Sequence, residues 1–261
     1  MTRRLPILTF HAIEDDPSPI AFPPPLFRNF LRAIDRHSYQ TLSLRDAVAG
    51  LARRETLPER AVVLTFDDGY RSVYDEAFPL LRALRMTATI FLSAGGPAAG
   101  PERRLPPYAG RERMSWEEVR EMSAAGIEFG AHTDTHPDLT RLPEAELVAE
   151  IRGGKEEIER ATGTAVVSFA YPFGRWNARV RGEAMRHYAC ACSDRLALAA
   201  AFSDRYALPR VDAYYLRSPR CAPLLFSRFL PLYLWARNAP RTTRRRLAPP
   251  RHRKTDPCAS A

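Results

Sequence analysis

Ala61–Phe66, AVVLTF, is the stretch that most narrows what this chain can fold into. Its side chains are nearly all apolar and do not alternate with polar ones, so neither face suits water. That is the mark of a strand buried on both sides. Such a strand needs helices packed over it, and the flanking sequence supplies them. Short β-like runs alternate with helical patterns along the chain. Pro6–Ile13 reads as a first strand; Ala88–Leu92, Ile127–Ala131, Val166–Ala170, Tyr188–Cys192 and Leu208–Val211 read as later ones. Between them, Leu26–His37 places Phe27, Phe30, Leu31 and Ile34 at helical spacing, and Ser43 reads as the cap of a helix through Leu51. Arg71–Leu84, Glu144–Ala161 and Asn177–His187 read as further helices. Ser115–Glu118 has the capping-box form, and Gly126 is placed to end the helix it starts. The alternation predicts an α/β fold.

Composition sets the outer bounds. With 261 residues, 45% hydrophobic and 26% charged, the chain can bury a large core without disulfides. The net charge of +9 is unevenly spread. Residues 237–261 hold eight of the 39 basic residues and one acid, Asp256, which leaves about +2 for the other 236 residues. The body is therefore not a nucleic-acid binder, and the basicity belongs to a tail, Arg241 to Lys254. That tail reads as a disordered end or as a peripheral contact with anionic lipid or polymer. Leu224–Trp235 is apolar but broken by Arg228 and Pro231, which predicts a packed final helix or an interfacial segment. One domain is expected over 1–217, followed by an apolar segment and a basic, disordered tail over 218–261. Cys190 and Cys192 read as buried small hydrophobes. Gly95–Arg113, rich in Gly, Pro and Arg, reads as a long surface loop. No signal-peptide or membrane-spanning pattern is visible, which predicts a cytoplasmic protein, peripheral at most to the inner membrane.

Three segments follow predicted strands, where parallel α/β folds gather their reactive groups. Asp67 and Asp68 end AVVLTF and precede Gly69. Two adjacent carboxylates are costly to bury without a cation. On an extended backbone they diverge, so that one can bind a metal while the other faces a reacting water. Alone, the pair also reads as solvated acids of an Asp-Gly turn. His132 and His136 stand four apart, and Pro137 favours a turn over mid-helix there. With Asp68 they make a two-imidazole, one-carboxylate set with one position open, a catalytic zinc pattern. Tyr171-Pro172-Phe173-Gly174 predicts a turn whose aromatics either wall a sugar site or simply fill the core.

TFDDGY, HTDTHPDLT and FAYPFG, in that order, resemble the polysaccharide deacetylase family that shares a domain with nodulation chitooligosaccharide deacetylases. The resemblance covers about residues 5–215. It implies a single-domain, distorted (β/α)7-type barrel that hydrolyses N-acetyl groups from amino sugars of a polysaccharide or oligosaccharide. It implies Asp67 as general base, Asp68, His132 and His136 as ligands of one divalent ion, zinc, and an N–H after the Tyr171-Pro172 turn as an oxyanion donor. Tyr171, Pro172, Phe173 and Gly174 would bind substrate, an N-acetylated glycan. The chain departs from the family pattern twice. Ala170 stands where many members have an Arg that tethers the catalytic Asp; the nearest substitute is Arg210, in Leu208–Asp212. The late Leu-x-His acid is absent, and His11, at the end of the first strand, is the alternative acid or a histidine that only braces the site. Two other readings stay open: removal of a formyl group from a lipid-linked amino sugar at the cytoplasmic membrane face, and a carbohydrate-binding relic.

Overall fold

The structure, a computed structural model, describes residues 4–53, 57–95 and 109–247, with side chains as far as Asn238. Most of the loop expected over Gly95–Arg113, namely residues 96–108, lies outside the described residues, as does the basic tail beyond Leu247. Among the described residues the strands are β1 (Arg4–Leu5), β2 (Ile7–Phe10), β3 (Gln40–Leu42), β4 (Ala61–Phe66), β5 (Thr89–Leu92), β6 (Glu128–Ala131), β7 (Ser168–Ala170), β8 (Cys190–Leu196), β9 (Ala199–Ala200) and β10 (Leu208–Asp212). The α-helices are α1 (Pro24–Arg36), α2 (Leu44–Arg53), α3 (Phe78–Ala83), α4 (Trp116–Ala124), α5 (Glu144–Thr162), α6 (Ala178–His187) and α7 (Leu230–Leu247).

Seven strands pair in parallel in the order β2, β4, β5, β6, β7, β8, β10, and β10 pairs back onto β2. The chain is thus a closed seven-stranded α/β barrel. β3 extends one edge of β4, pairing Leu42 with Val63, before β5 takes over at Thr65. β1 and β9 form a separate two-residue antiparallel ribbon.

Closure explains why β4 has no polar face. Val63 turns into the barrel with Ile7, Phe91, Ala170, Cys190, Cys192 and Leu208. Val62, Leu64 and Phe66 turn outward into the larger core beneath α1, with Phe27, Phe30, Leu31 and Ile34. Phe10 joins the outer layer, its ring 5.3 Å from those of Phe22 and Phe27. The inner filling is small wherever Phe91 needs space. A Cβ on Gly130 would come 2.6 Å from the Phe91 ring and 2.9 Å from the Ser168 carbonyl.

The helices begin and end where capping chemistry dictates. Ser115 accepts from the Glu118 N–H while Glu118 reaches back to the Ser115 N–H, and Asn177 caps α6 through the Val180 N–H. The stretch read as one helix over Arg71–Leu84 is instead a wide π turn, Val73–Ala77, leading into α3. Pro79 has no N–H to return to the carbonyl four residues earlier, so the ladder slips by one and the Phe78 N–H reaches Val73 O. The apolar segment after Ser218 folds onto the barrel. Leu225, Leu230 and Leu234 join the core, and Phe226 stacks on His37 with ring centroids 4.1 Å apart.

Gly130→Ala is expected to destabilise the protein by about 1–3 kcal/mol, because Phe91 cannot yield without disturbing the packed interior. Urea unfolding measures this. Phe91→Leu on the Gly130→Ala background should recover part of the loss, and a wild-type midpoint for Gly130→Ala alone would contradict the close approach.

Candidate active site

The barrel brings residues that are distant in sequence to one rim. Asp67 and Asp68 follow β4, His11 follows β2, His132 and His136 follow β6, Tyr171 follows β7, and Arg210 lies in β10. They border a cavity of about 370 Å3. Asp67, Asp68, His132, His136 and Arg210 are all buried.

The two aspartates diverge, but by a different device from pleat alternation. Asp67 keeps strand pairing through its N–H to Phe10 O. Asp68 then takes a left-handed backbone, φ 70°, followed by Gly69 at φ 69°. Among the described residues, four of the seven non-glycine residues with positive φ are Asp68, Thr133, His136 and Phe173. Each such residue costs about 1–2 kcal/mol, and their clustering here is the pattern of strain held at a working site.

Asp67 is gripped by Arg210 in a two-pronged ion pair, 2.7 Å from Nη1 to Oδ1 and 2.8 Å from Nη2 to Oδ2. Nε of Arg210 donates to Ser193 O, and Nη1 is also 3.3 Å from Thr65 Oγ1. The guanidinium lies 5.7 Å from the centre of the Phe91 ring. Burial alone would raise the Asp67 carboxyl, but Arg210, aided by His132 and His11, outweighs it and holds Asp67 well below the usual carboxylate range. His11 Nε2 stands 4.0 Å from Asp67 Oδ2, and its side chain is partly exposed.

Among the described residues no arginine side chain grips the Asp68 carboxylate as Arg210 grips that of Asp67. Asp68 Oδ1 is buried and makes no hydrogen bond among the described residues. It faces His136 Nε2 at 3.5 Å and His132 Nε2 at 3.7 Å, and the two imidazole nitrogens are 3.1 Å apart. Three ligands held about 2.0–2.1 Å from one ion in tetrahedral directions stand roughly 3.4 Å from one another, so the triangle is of the right size. His132 Nδ1 lies 2.7 Å from Ala170 O; only an N–H suits that carbonyl, which leaves Nε2 as the lone-pair donor. Burial pushes both His132 and His136 down to about 4, with His136 adding to the effect on His132, so both are neutral near pH 7. The buried Asp68–His132–His136 group can hold a metal ion.

The loop that carries the histidines is braced from α5. Glu150 accepts from the Asp134 and Thr135 N–H groups at 3.0 and 2.8 Å. Gly154 lets α5 approach so closely that a Cβ there would sit 2.5 Å from Thr133 O. Thr133 Oγ1 accepts from the His136 N–H. Arg113, where the chain returns from the loop, donates to Asp68 O at 3.3 Å.

Of the four turn residues read as binding substrate, Phe173 presents its ring to solvent at 52% exposure, edge-on to His136 with centroids 4.7 Å apart. Tyr171 and Pro172 are buried, and the Tyr171 hydroxyl donates to Tyr206 O. Gly174 sits against Asp194, where a Cβ would overlap the carboxylate side chain at 2.2 Å. The sequence reading missed Asp194, which borders the cavity from within β8, two residues past the strand end expected at Cys192, and could have been found by the strand-end rule applied to the others. Glu150 and the Ala170 carbonyl were also missed. The mid-helix glycines 153 and 154 hinted at the first; a main-chain carbonyl gives no sequence signal.

Residues 54–189, just over half of the chain, match the family model described as polysaccharide deacetylase. YxkH of Bacillus subtilis, which carries a polysaccharide deacetylase name, is 30% identical over 174 residues, covering 67% of this chain and 58% of that protein. A poly-beta-1,6-N-acetyl-D-glucosamine N-deacetylase of Staphylococcus aureus is 24% identical over 160 residues, covering 58% and 53%. The chain thus spans little more than half the length of these relatives. Among solved structures, the deacetylase PplD of Streptococcus pyogenes, in complex with acetate, gives a TM-score of 0.72 at 25% identity over 81% of this chain and 93% of that one. IcaB from Ammonifex degensii gives 0.72 at 24% identity, over 89% and 97%, and shows the shared fold. The barrel, its rim of carboxylates and imidazoles, and the match of the family model agree: the chain belongs to the polysaccharide deacetylase family.

Proposed function

We propose that this chain is a zinc-dependent hydrolase that removes N-acetyl groups from the amino sugars of a polysaccharide. The observation that carries this reading is Asp68: a buried carboxylate oxygen without a hydrogen bond among the described residues, facing two neutral imidazoles, next in sequence to a carboxylate locked by arginine. A divalent cation held by Asp68, His132 and His136 supplies Lewis acidity toward an amide carbonyl and acidifies a water molecule. Zinc suits the two-imidazole, one-carboxylate donor set.

The rest is done by side chains of this chain. Asp67, kept ionised by Arg210, takes the proton of the attacking water at a carboxylate oxygen. Its low basicity makes it a weak base, so its contribution rests on placement, which the two-pronged grip of Arg210 secures. The backbone N–H of Phe173, after the Tyr171-Pro172 turn, supports the oxyanion as charge develops on the acetamide oxygen. His11, 4.0 Å from Asp67 Oδ2 and open to solvent, delivers a proton to the leaving amine. Water is added across the C–N bond, and acetate and a free amino sugar leave. The exposed Phe173 ring offers an apolar wall to a pyranose. Beyond it the cavity continues into a broader groove of about 820 Å3 beside Trp176, Arg195 and Asp204, room for neighbouring sugars of a polymer.

Acetate release from N-acetylglucosamine oligosaccharides, before and after chelation and with zinc restored, tests the reading; no release by the zinc-loaded protein from any such polymer would overturn it. Asp67→Asn, which keeps an acceptor for the guanidinium, should lower turnover about a hundred- to ten-thousand-fold with zinc content unchanged. Arg210→Met strands a buried carboxylate and should cost about 3–5 kcal/mol in stability. It should also move the acid limb of the pH–rate profile to higher pH, because the Asp67 carboxyl rises once its cation is gone. An unmoved acid limb would separate Asp67 from the titration.

Both histidines have folded-state values below their ordinary 6.5, near 4. Each is a depressed base, so its stability contribution is present above pH 6.5 and is lost as pH falls toward 4. Asp67 adds its own loss only below its ordinary 3.8. Metal-free protein should therefore lose up to about 1.4 kcal/mol per pH unit per histidine between those values. The slope, read from urea unfolding at several pH values, should flatten in His132→Asn/His136→Asn. Added zinc should stabilise more at pH 7 than at pH 5, because protons compete for the same nitrogens.

A further inference from the structure

We infer that the C-terminal helix α7 is a docking face for the surface of a membrane rich in anionic lipid. Leu230 and Leu234 fix α7 to the core. The opposite side of the helix, with the residue just before it, carries three large apolar side chains in the open: Leu232 is 63% exposed and Trp235 69%, and Phe229, immediately before α7, 54%. At 100° per residue, Leu232, Trp235 and the exposed Ala236 share one stripe with Phe229, turned away from Leu230 and Leu234. A helix apolar on both its docked and its free side has a second surface to cover.

Charge identifies what covers it. Between Asp212 and Asp256 the sequence contains eleven arginines and lysines and no acid. Two of the arginines pack on rings of this segment: Arg228 lies 5.1 Å from the centre of the Phe229 ring, and Arg237 5.3 Å from that of Tyr233. Four more, Arg241, Arg244, Arg245 and Arg246, follow on the same helix. An anionic polymer would satisfy the arginines but leave Phe229, Leu232 and Trp235 in water. A second copy of this chain would bring another strongly basic segment against the first. An anionic bilayer satisfies both demands, taking the apolar stripe into the headgroup–acyl boundary and the guanidinium groups among the headgroups. No described helix is long and apolar enough to cross a membrane, so α7 would lie on the surface. The inference is independent of the catalytic reading. Leu230 and Pro231, where α7 begins, share a cavity with Pro6 and Ala61 at the N-terminal ends of β2 and β4, the end of the barrel away from Asp67 and Asp68.

The test is sedimentation of the full chain with phosphatidylcholine vesicles with and without phosphatidylglycerol, at low and high salt. Binding should require phosphatidylglycerol, weaken with salt, and fall on the order of tenfold or more in Leu232→Ser/Trp235→Ser. That variant should keep the wild-type melting temperature and deacetylase activity in solution, since both side chains are exposed and neither borders the cavity at the rim. A second variant, Arg244→Gln/Arg245→Gln/Arg246→Gln, leaves the apolar stripe intact and should also weaken binding. Equal binding to neutral vesicles would overturn the inference. So would equal binding by Leu232→Ser/Trp235→Ser, or a stable dimer in solution that this variant dissolves.

Discussion

Two adjacent carboxylates buried at the end of one strand set the terms for the rest of this molecule. Left alone, each would be protonated or would pull water into the core. The protein answers the two charges differently. Asp67 receives a fixed cation, the Arg210 guanidinium, through two hydrogen bonds. Asp68, among the described residues, faces two neutral imidazoles aimed at the same space, with Arg113 on its main-chain carbonyl. One aspartate is therefore an anion held in place, and the other belongs to a group that can hold a metal ion. That asymmetry, more than the presence of acids and histidines, separates the two roles proposed for neighbouring residues of the same type.

Holding such a site takes support from residues that never touch it. Gly130 makes room for Phe91, Phe91 lies beneath Arg210, and Arg210 orients Asp67. On the other side, Gly154 lets α5 come close enough for Glu150 to tie down the loop between the histidines. A mid-helix glycine costs about 1 kcal/mol relative to alanine, and the left-handed backbones of Asp68, Thr133, His136 and Phe173 add their own strain. The two-layered apolar packing of the barrel offsets these terms. Buried side chains fill its interior and also the shell beneath the helices.

The parts legible in the sequence were those with strong periodicity or a fixed chemical signature. β4, α1, the α4 capping box and the strand-end positions of Asp67, Asp68 and His132 could all be read from residue type and spacing. Arg210 could be picked out because the family resemblance implies an Arg where Ala170 stands, and LPRVD offers the nearest substitute at a strand end; its two-pronged grip on Asp67 is visible only in the fold. Other features had no local signal. β3 is three residues, QTL, two of them polar, and exists because β4 leaves an edge open below β5. The divergence of Asp67 and Asp68 was expected from the pleat, but Gly69 lets the chain leave in a left-handed turn instead. Tyr171 reads as a sugar wall beside Phe173, yet its ring is drawn inward by the Tyr206 carbonyl and by packing on Phe169 and Trp176. Aromatic composition alone cannot tell an outward ring from an inward one.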